Sequence, residues 1–166
     1  MTANAAKTKA TVEAPAAPAD LLRLDLQLCF ALYSSSNLVT RLYRPLLEPL
    51  GITYPQYLAL MVLWESAPQT VGALGRRLSL DSGTLTPLFK RLEKAGLVAR
   101  KRDPEDERRV LIDLTEAGRA LHARAMAIPL SVLCQLPLSV DEVMTLKGML
   151  NRLTEGLGEP GPCAPD

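Results

Sequence analysis

The chain of 166 residues has few cysteines and almost no histidine, and each shortage excludes a class of protein. Its three cysteines, Cys29, Cys134 and Cys163, are too few, too widely spaced and odd in number for a disulfide-stapled secreted domain, so we expect a reducing, cytoplasmic compartment. The single histidine, His122, gives a zinc site or a serine hydrolase little to be built from. These shortages exclude most hydrolases, and we expect no metal and no cofactor.

Long apolar runs and an excess of one charge are also missing. The longest uninterrupted apolar run, Tyr57–Trp64, is far shorter than the roughly 18 residues of a membrane-spanning helix, which excludes an integral membrane protein. Nineteen Lys and Arg against 18 Asp and Glu exclude a histone-like polycation. The stretch Arg76–Arg109 nevertheless holds ten basic and six acidic residues, which indicates a partner bound by one basic face.

The length corresponds to about one domain, and 48% apolar residues are enough for a core. Residues 1–19 consist mainly of Ala, Thr, Pro and Lys and predict a disordered N-terminal tail. Residues 158–166, with three prolines, predict a flexible C-terminal tail. The folded domain is expected over residues 20–157.

The first half of the domain has the periodicity of helices. Apolar residues recur at helical spacing from Asp20 to about Tyr43, and Pro45 suits the first turn of a short helix that ends at Gly51. A capping box at Thr53 predicts a buried helix through Trp64.

The second half adds a helix pair, a hairpin and further helices. Short helices are predicted over 70–78 and from Asp81 to Gly96, and strands over 97–102 and 109–114. Thr115 begins a helix that is bent or interrupted at Pro129, and a capping box at Ser139 begins a last helix through Leu157.

This order of elements predicts a mainly α fold with a small β-hairpin, a winged helix-turn-helix. The DNA-binding part is expected at about 53–115, and dimerisation helices at about 20–50 and 116–157. Terminal helices this apolar have more surface to bury than a small winged domain covers, so a homodimer is favoured over a monomeric helical bundle.

The basic stretch provides candidate DNA contacts. Polar residues at the start of the 81–96 helix and cations further along it can reach base edges in the major groove, and an arginine at the hairpin tip suits a narrow minor groove. A merely solvated helix face is the alternative. The candidates are Ser82, Thr84, Lys90, Arg91 and Arg108.

Cys29 lies on the apolar stripe of the first helix, where a free cysteine is usually an inert packing residue. All four tyrosines lie between residues 33 and 57, close along the chain to this cysteine. Such aromatics usually belong to a core, but phenolic O–H groups can also stabilise a thiolate, and rings can surround an apolar ligand.

Two long segments carry a family resemblance. The segments Leu80–Val98 and Arg100–Thr115, with a D-x-R pattern ahead of L-T, resemble the MarR family of dimeric winged-helix regulators. The segments Leu24–Ser36 and Gly51–Leu60 resemble its organic hydroperoxide resistance regulators, and the likeness extends over about 24–157. This resemblance implies a repressor that binds pseudo-palindromic operator DNA until an organic hydroperoxide, the inducer, oxidises a cysteine.

The resemblance also implies roles for individual residues. Cys29 matches the redox-sensing cysteine, Tyr43 and Tyr54 match two phenols that hydrogen-bond its sulfur, and Tyr33 matches a third pocket tyrosine contributed by the other subunit. Cys134 resembles the resolving cysteine of two-cysteine members, which closes an intersubunit disulfide. Cys163 has no counterpart in the family pattern and could compete as the resolving thiol.

Three other functions remain open from the sequence. A MarR-type repressor released by a non-covalent phenolic ligand would use the same fold. A thiol peroxidase would explain Cys29 but leave the basic helix and wing without a purpose. A dimeric scaffold without DNA activity is favoured only by the near-zero net charge.

Overall fold

A computed structural model describes residues 21–104, 106 and 109–157, and both expected tails lie outside these ranges. The helices in the described residues are α1 (Leu28–Leu47), α2 (Tyr54–Glu65), α3 (Val71–Leu78), α4 (Ser82–Lys94), α5 (Glu116–Ala125), α6 (Ile128–Leu133) and α7 (Val140–Gly156). The strands are β1 (Gln69–Thr70), β2 (Val98–Arg102) and β3 (Val110–Leu114). None of the helices in these ranges is both long and apolar enough to cross a membrane.

The chain forms two compact units, residues 1–39 and 40–166. The described part of the first unit contains a 3-10 turn, Leu24–Leu26, and the N-terminal part of α1. Its large apolar side chains are exposed, with Leu22 at 91% and Leu28 at 63% of their full accessibility. This unit therefore buries little of its own apolar surface.

Pro45 lies inside α1, so the expectation of a separate helix beginning at Pro45 is wrong. The helix continues because the following residues pack into the core, and Leu47 is only 1% exposed. Its burial offsets the one backbone hydrogen bond that proline cannot donate. A 3-10 turn, Glu48–Leu50, then ends at Gly51 with φ of 69°, which confirms the predicted stop.

The predicted capping box of α2 is present. The backbone N–H of Thr53 donates to Oε1 of Gln56 at 2.8 Å, and Pro55 lies in the first turn, where its missing N–H has no helical partner to lose. The helix is buried along most of its length, and its Trp64 indole N–H donates to the carbonyl of Gly118 in α5 at 2.9 Å. This bond ties α2 to α5.

Helices α3 and α4 form the helix-turn-helix. The Thr70 side chain caps α3 by accepting from the N–H of Ala73 at 3.1 Å, and Ser79 adopts a left-handed conformation in the turn. Gly75 is required by close packing, because a Cβ there would lie 2.9 Å from the carbonyl oxygen of Leu80 and 3.0 Å from a methyl of Leu85. The absent side chain lets the two helices approach each other.

The wing is a three-stranded antiparallel sheet in the order β1-β3-β2, not the two-stranded hairpin that the sequence predicts. The hairpin itself is confirmed, with Val98 opposite Leu114 and Arg102 opposite Val110. The additional strand pairs Gln69 with Ile112. The sequence does not predict β1, because two residues are too few to show the alternation of a strand and the predicted helix begins at Thr70.

The core of the second unit lies between α2, α4, β3 and α5. Its fully buried large side chains come from α1, α2, the helix-turn-helix and the wing. They are Leu47, Leu60, Leu63, Leu74, Leu85, Phe89, Leu92, Val98 and Ile112. Packing of these residues holds α4 and the wing in a fixed relation.

The helix that follows the wing is interrupted next to Pro129, as predicted. Helix α5 begins after the Thr115 cap and ends at Ala125, and α6 begins at Ile128 with Pro129 in its first turn. Proline in that position disrupts no intrahelical hydrogen bond. In a single helix continuing from α5, by contrast, Pro129 could not donate to the carbonyl of Ala125, the residue at which α5 ends.

Helix α7 begins at the predicted capping box, in which the backbone N–H of Ser139 donates to Glu142 at 2.8 Å. None of its residues is buried, although it carries large apolar side chains. Those exposed are Val140, Met144, Leu146, Met149, Leu150 and Leu153. An amphipathic helix with an uncovered apolar face requires a further packing partner.

Candidate nucleic-acid interface and thiol site

Helix α4 presents a polar face to solvent and an apolar face to the core. Leu85, Leu88, Phe89 and Leu92 are buried, whereas the predicted DNA contacts on the helix are exposed. The exposed set is Ser82, Thr84, Lys90 and Arg91. The structure therefore places these four candidates on one accessible helix.

The N-terminus of α4 is capped by a carboxylate. The backbone N–H of Thr84 donates to Asp81 at 2.8 Å, and the Thr84 hydroxyl donates to the same carboxylate at 3.2 Å. These bonds from Thr84 hold the pKa of Asp81 below its ordinary value. Asp81 thus occupies a backbone N–H in the first turn of α4 that would otherwise be free to bind a phosphate.

Arg100 fastens the wing to α4. Its guanidinium lies 3.3 Å from the Glu93 carboxylate and donates to the carbonyl of Thr86 at 3.2 Å. Lys101 similarly lies 3.7 Å from Asp113. These two cations at the base of the hairpin therefore have carboxylate partners within the protein. Arg108, the predicted tip residue, lies outside the described residues.

The tyrosines of the second unit form a row of rings. Tyr43 of α1 packs against Tyr54 and Tyr57 of α2, with ring centroids 4.6 and 5.9 Å apart. The row continues through Trp64 to His122 of α5, and their ring centroids are 5.3 Å apart. Burial raises the pKa of Tyr43, Tyr54 and Tyr57, so all three phenols remain protonated O–H donors near neutral pH.

A cavity of about 510 Å³ adjoins Tyr54 at the junction of α1 and α2. Leu47 and Ile52 contribute apolar walls, and Arg41 and Arg44 contribute cationic ones. Its volume is within the range of small-molecule sites. The cavity therefore has the size and chemistry to hold a small amphipathic molecule.

The two described cysteines are both free and exposed in the single chain. Cys29 is the second residue of α1, and Cys134 follows the last residue of α6. Tyr33, the third predicted pocket tyrosine, is 67% exposed. The packing role considered for Cys29 is therefore not found within one chain, and Cys163 lies outside the described residues.

Sequence reasoning missed two arginines that the structure distinguishes. Arg76 of α3 lines a groove beside α4 and the wing. Arg124 of α5 donates to the carbonyl of Pro49, in the turn after α1, at 2.9 Å. Arg76 was only one member of the basic stretch, and no local pattern connects residues 49 and 124.

Comparison with known proteins identifies the class that this winged helix-turn-helix represents. The MarR family model matches residues 52–110. The chain is 51% identical to the organic hydroperoxide resistance transcriptional regulator of Bacillus subtilis over 138 residues, 83% of this chain and 94% of that protein. The chain therefore belongs to the MarR family.

Solved structures agree with this assignment. Reduced AbfR bound to DNA is similar with a TM-score of 0.71 and 40% identity, covering 84% of this chain and 95% of that one. Disulfide-formed AbfR is similar with a TM-score of 0.59 and 38% identity, covering 85% and 96%. AbfR is a protein of Staphylococcus epidermidis. The winged helix-turn-helix fold expected from the sequence is confirmed.

Proposed function

We propose that this chain is a redox-sensing transcriptional repressor of the cytoplasm, not an enzyme. As a reduced homodimer it binds pseudo-palindromic operator DNA, and oxidation of Cys29 by an organic hydroperoxide releases it. The observation that carries this proposal is the 51% identity to a regulator named for organic hydroperoxide resistance, which extends over nearly the whole of that relative. A thiol peroxidase receives no support, because that relative is named as a regulator.

The homodimer would form through the terminal helices. Helix α7 exposes an apolar face within one chain, and the N-terminal unit exposes several leucines. A two-fold partner is the commonest way to cover such surfaces, and it also pairs two α4 helices for the half-sites of a palindrome. Ser82, Thr84, Lys90 and Arg91 would then face the major groove, with Arg108 reaching the minor groove.

The sensing step would be a two-electron oxidation of sulfur. The Cys29 thiolate attacks the hydrogen-bearing oxygen of the peroxide, so that the S–O bond forms, the O–O bond breaks and sulfur becomes a sulfenic acid; the leaving alkoxide takes a proton from water to become the alcohol. The Cys134 thiol of the other subunit then attacks that sulfur, forming a disulfide and releasing water. Cys29 and Tyr43 stand near opposite ends of one helix, so the O–H donors to the thiolate would be Tyr43 and Tyr54 of the partner subunit, and Tyr33 would add to the pocket.

Disulfide formation would release DNA by changing the distance between the two winged domains of the dimer. A bond between subunits fixes the end of α6, which Cys134 directly follows, and would thereby change the separation of the two winged domains. Paired recognition helices need half-sites about one DNA turn apart, so a changed separation prevents simultaneous binding. Release by a non-covalent phenolic ligand is the second candidate, and the cavity of about 510 Å³ beside Tyr54 favours it.

An electrophoretic mobility shift titration tests the proposal. The probe is an operator selected from a randomised duplex pool, and the protein is measured reduced, after one equivalent of organic hydroperoxide, and again after thiol reductant. We expect binding, loss of binding, and recovery. Release by phenolic compounds but not by peroxide would favour the non-covalent alternative, and absence of DNA binding by the reduced protein would reject both.

A further inference from the structure

A groove of about 640 Å³ separates the start of α3 and the middle of α4 from the wing. Three arginines line it, one from α3 and two from the wing. They are Arg76 of α3, Arg100 of β2, and Arg109 directly before β3. The groove is therefore a cationic surface immediately beside the predicted recognition helix.

The three arginines differ in how far their charge is already neutralised. Arg100 lies 3.3 Å from Glu93, and Arg109 lies 3.3 Å from Asp106. Arg76 is exposed and has no carboxylate within 4 Å among the described residues. Among the described residues that line the groove, Arg76 is thus the arginine whose charge remains available to an external anion.

Room for that anion is left at the first turn of α3. A Cβ at Gly72 would have Nη1 of Arg76, at 3.9 Å, as its nearest neighbour. The guanidinium of Arg76 therefore lies over the start of its own helix, with an open position beside it. The backbone N–H groups of a first helical turn attract an anion, as the Arg76 guanidinium does, so both favour a negative charge at this place.

We propose that Arg76 binds a backbone phosphate of operator DNA in this groove, one in each protomer. The inference rests on the proposed function, because it assigns an additional contact to the same DNA complex. When α4 enters the major groove of DNA, the phosphates of the two strands that border the major groove pass beside α4. The arginine-lined groove of the protein lies at this position. An arginine matches phosphate geometry with two parallel N–H bonds and reads no base sequence.

The adjacent residue provides a matched control. Arg77 belongs to the same helix and has the same side chain, but it pairs with Glu65 of α2 and does not line the groove. Arg76→Ala and Arg77→Ala remove the same charge one position apart. Only the Arg76 variant removes it from the groove.

The experiment measures dissociation constants of the reduced full-length protein by fluorescence anisotropy, on operator and scrambled duplexes, from about 50 to 300 mM salt. Each phosphate neutralised contributes about 0.9 to the slope of log affinity against log salt, so Arg76→Ala in both protomers should reduce the slope by about 2. Binding should weaken roughly tenfold on both duplexes, since a phosphate contact is not sequence-specific. Arg77→Ala should keep the wild-type slope, and Arg76→Lys should restore most of it.

The outcomes separate this inference from the proposed function. If Arg76→Ala keeps the wild-type slope while wild type binds operator, the groove holds no phosphate and the inference is overturned, but the repressor proposal stands. If wild type shows no salt-dependent DNA binding, both are overturned. Thermal unfolding of each variant identifies a folding defect, in which case Arg76→Gln, which keeps most of the side chain, replaces Arg76→Ala in the same comparison.

Discussion

The ring centroids of Tyr43 and Tyr54 lie 4.6 Å apart, and their planes are tilted by 45°. One residue is near the end of α1 and the other begins α2, and the left-handed turn at Gly51 brings them together. Burial raises the pKa of both phenols, which keeps them protonated at neutral pH. The pair therefore supplies two neighbouring O–H donors.

Replacement of either donor should slow oxidation. Tyr43→Phe and Tyr54→Phe each remove one hydrogen bond that we propose to the Cys29 thiolate, and a bond to a charged group is worth about 1.5 to 3 kcal/mol. We expect oxidation by an organic hydroperoxide to be roughly tenfold slower or more in each variant. Stopped-flow measurement of thiol loss in Cys134→Ser, Cys163→Ser protein, where only Cys29 reacts, gives the rate.

Tyr57→Phe is the matched control for this experiment. Tyr57 is buried in the same ring cluster, and its ring centroid lies 5.9 Å from that of Tyr43. It is not assigned to the sensor pocket. Its replacement should leave the rate close to that of the parent protein. Equal rates for all three variants and the parent would show that these phenols do not assist the thiolate.

Arg91 and Arg108 should differ in what their loss does to DNA binding. Arg91→Ala removes a proposed major-groove contact and should weaken operator binding by about 1 to 3 kcal/mol while relaxing base preference. Arg108→Ala should weaken binding with less effect on major-groove specificity. Affinities for the operator and its single-base variants measure both effects, and unchanged affinities would mean that DNA binds another face.

Gly118 is a stability determinant because α5 passes close to the start of β2. A Cβ at this position would lie 2.0 Å from the carbonyl oxygen of Leu97, which is backbone and cannot rotate away. We expect Gly118→Ala to lower the free energy of unfolding by about 3 kcal/mol or more. Gly72→Ala, whose Cβ meets nothing closer than 3.9 Å, should change it little. Similar denaturation midpoints for both variants would contradict this packing argument.

Most of the local structure was predictable because short-range chemistry determines it. The caps at Thr53, Thr115 and Ser139 place helix starts correctly, and Gly51 and Gly96 adopt the positive φ values that end elements. Each signal depends on residues a few positions apart. The helix-turn-helix and hairpin followed from combining them.

The remainder depends on contacts between distant residues. The strand β1 exists because Gln69 lies opposite Ile112, and α1 continues through Pro45 because Leu47 is buried. Arg76 and Arg77 have the same local sequence context, yet only one of them faces the groove. Periodicity contains no information about such partners.

The resolving thiol can be identified by covalent dimer formation. We expect non-reducing gels after peroxide treatment to show a disulfide-linked dimer that Cys134→Ser abolishes and Cys163→Ser preserves. A disulfide needs Cα atoms within about 7 Å, so the region around α6 has to move if the two cysteines start farther apart in the reduced dimer. Because Pro129 lies in the first turn of α6, the break between Ala125 and Ile128 is the expected place of movement. Loss of the dimer in Cys163→Ser alone would assign the resolving role to the tail.

The response of Cys29→Ser to peroxide tests the central claim most directly. Serine nearly preserves the shape of the side chain but has no sulfur to oxidise. The variant and wild type, both reduced, are bound to labelled operator, and dissociation is followed by fluorescence anisotropy as organic hydroperoxide is added. The account predicts equal initial affinity, complete release of wild type, and no release of the variant. Release of Cys29→Ser at the same peroxide concentration would contradict it.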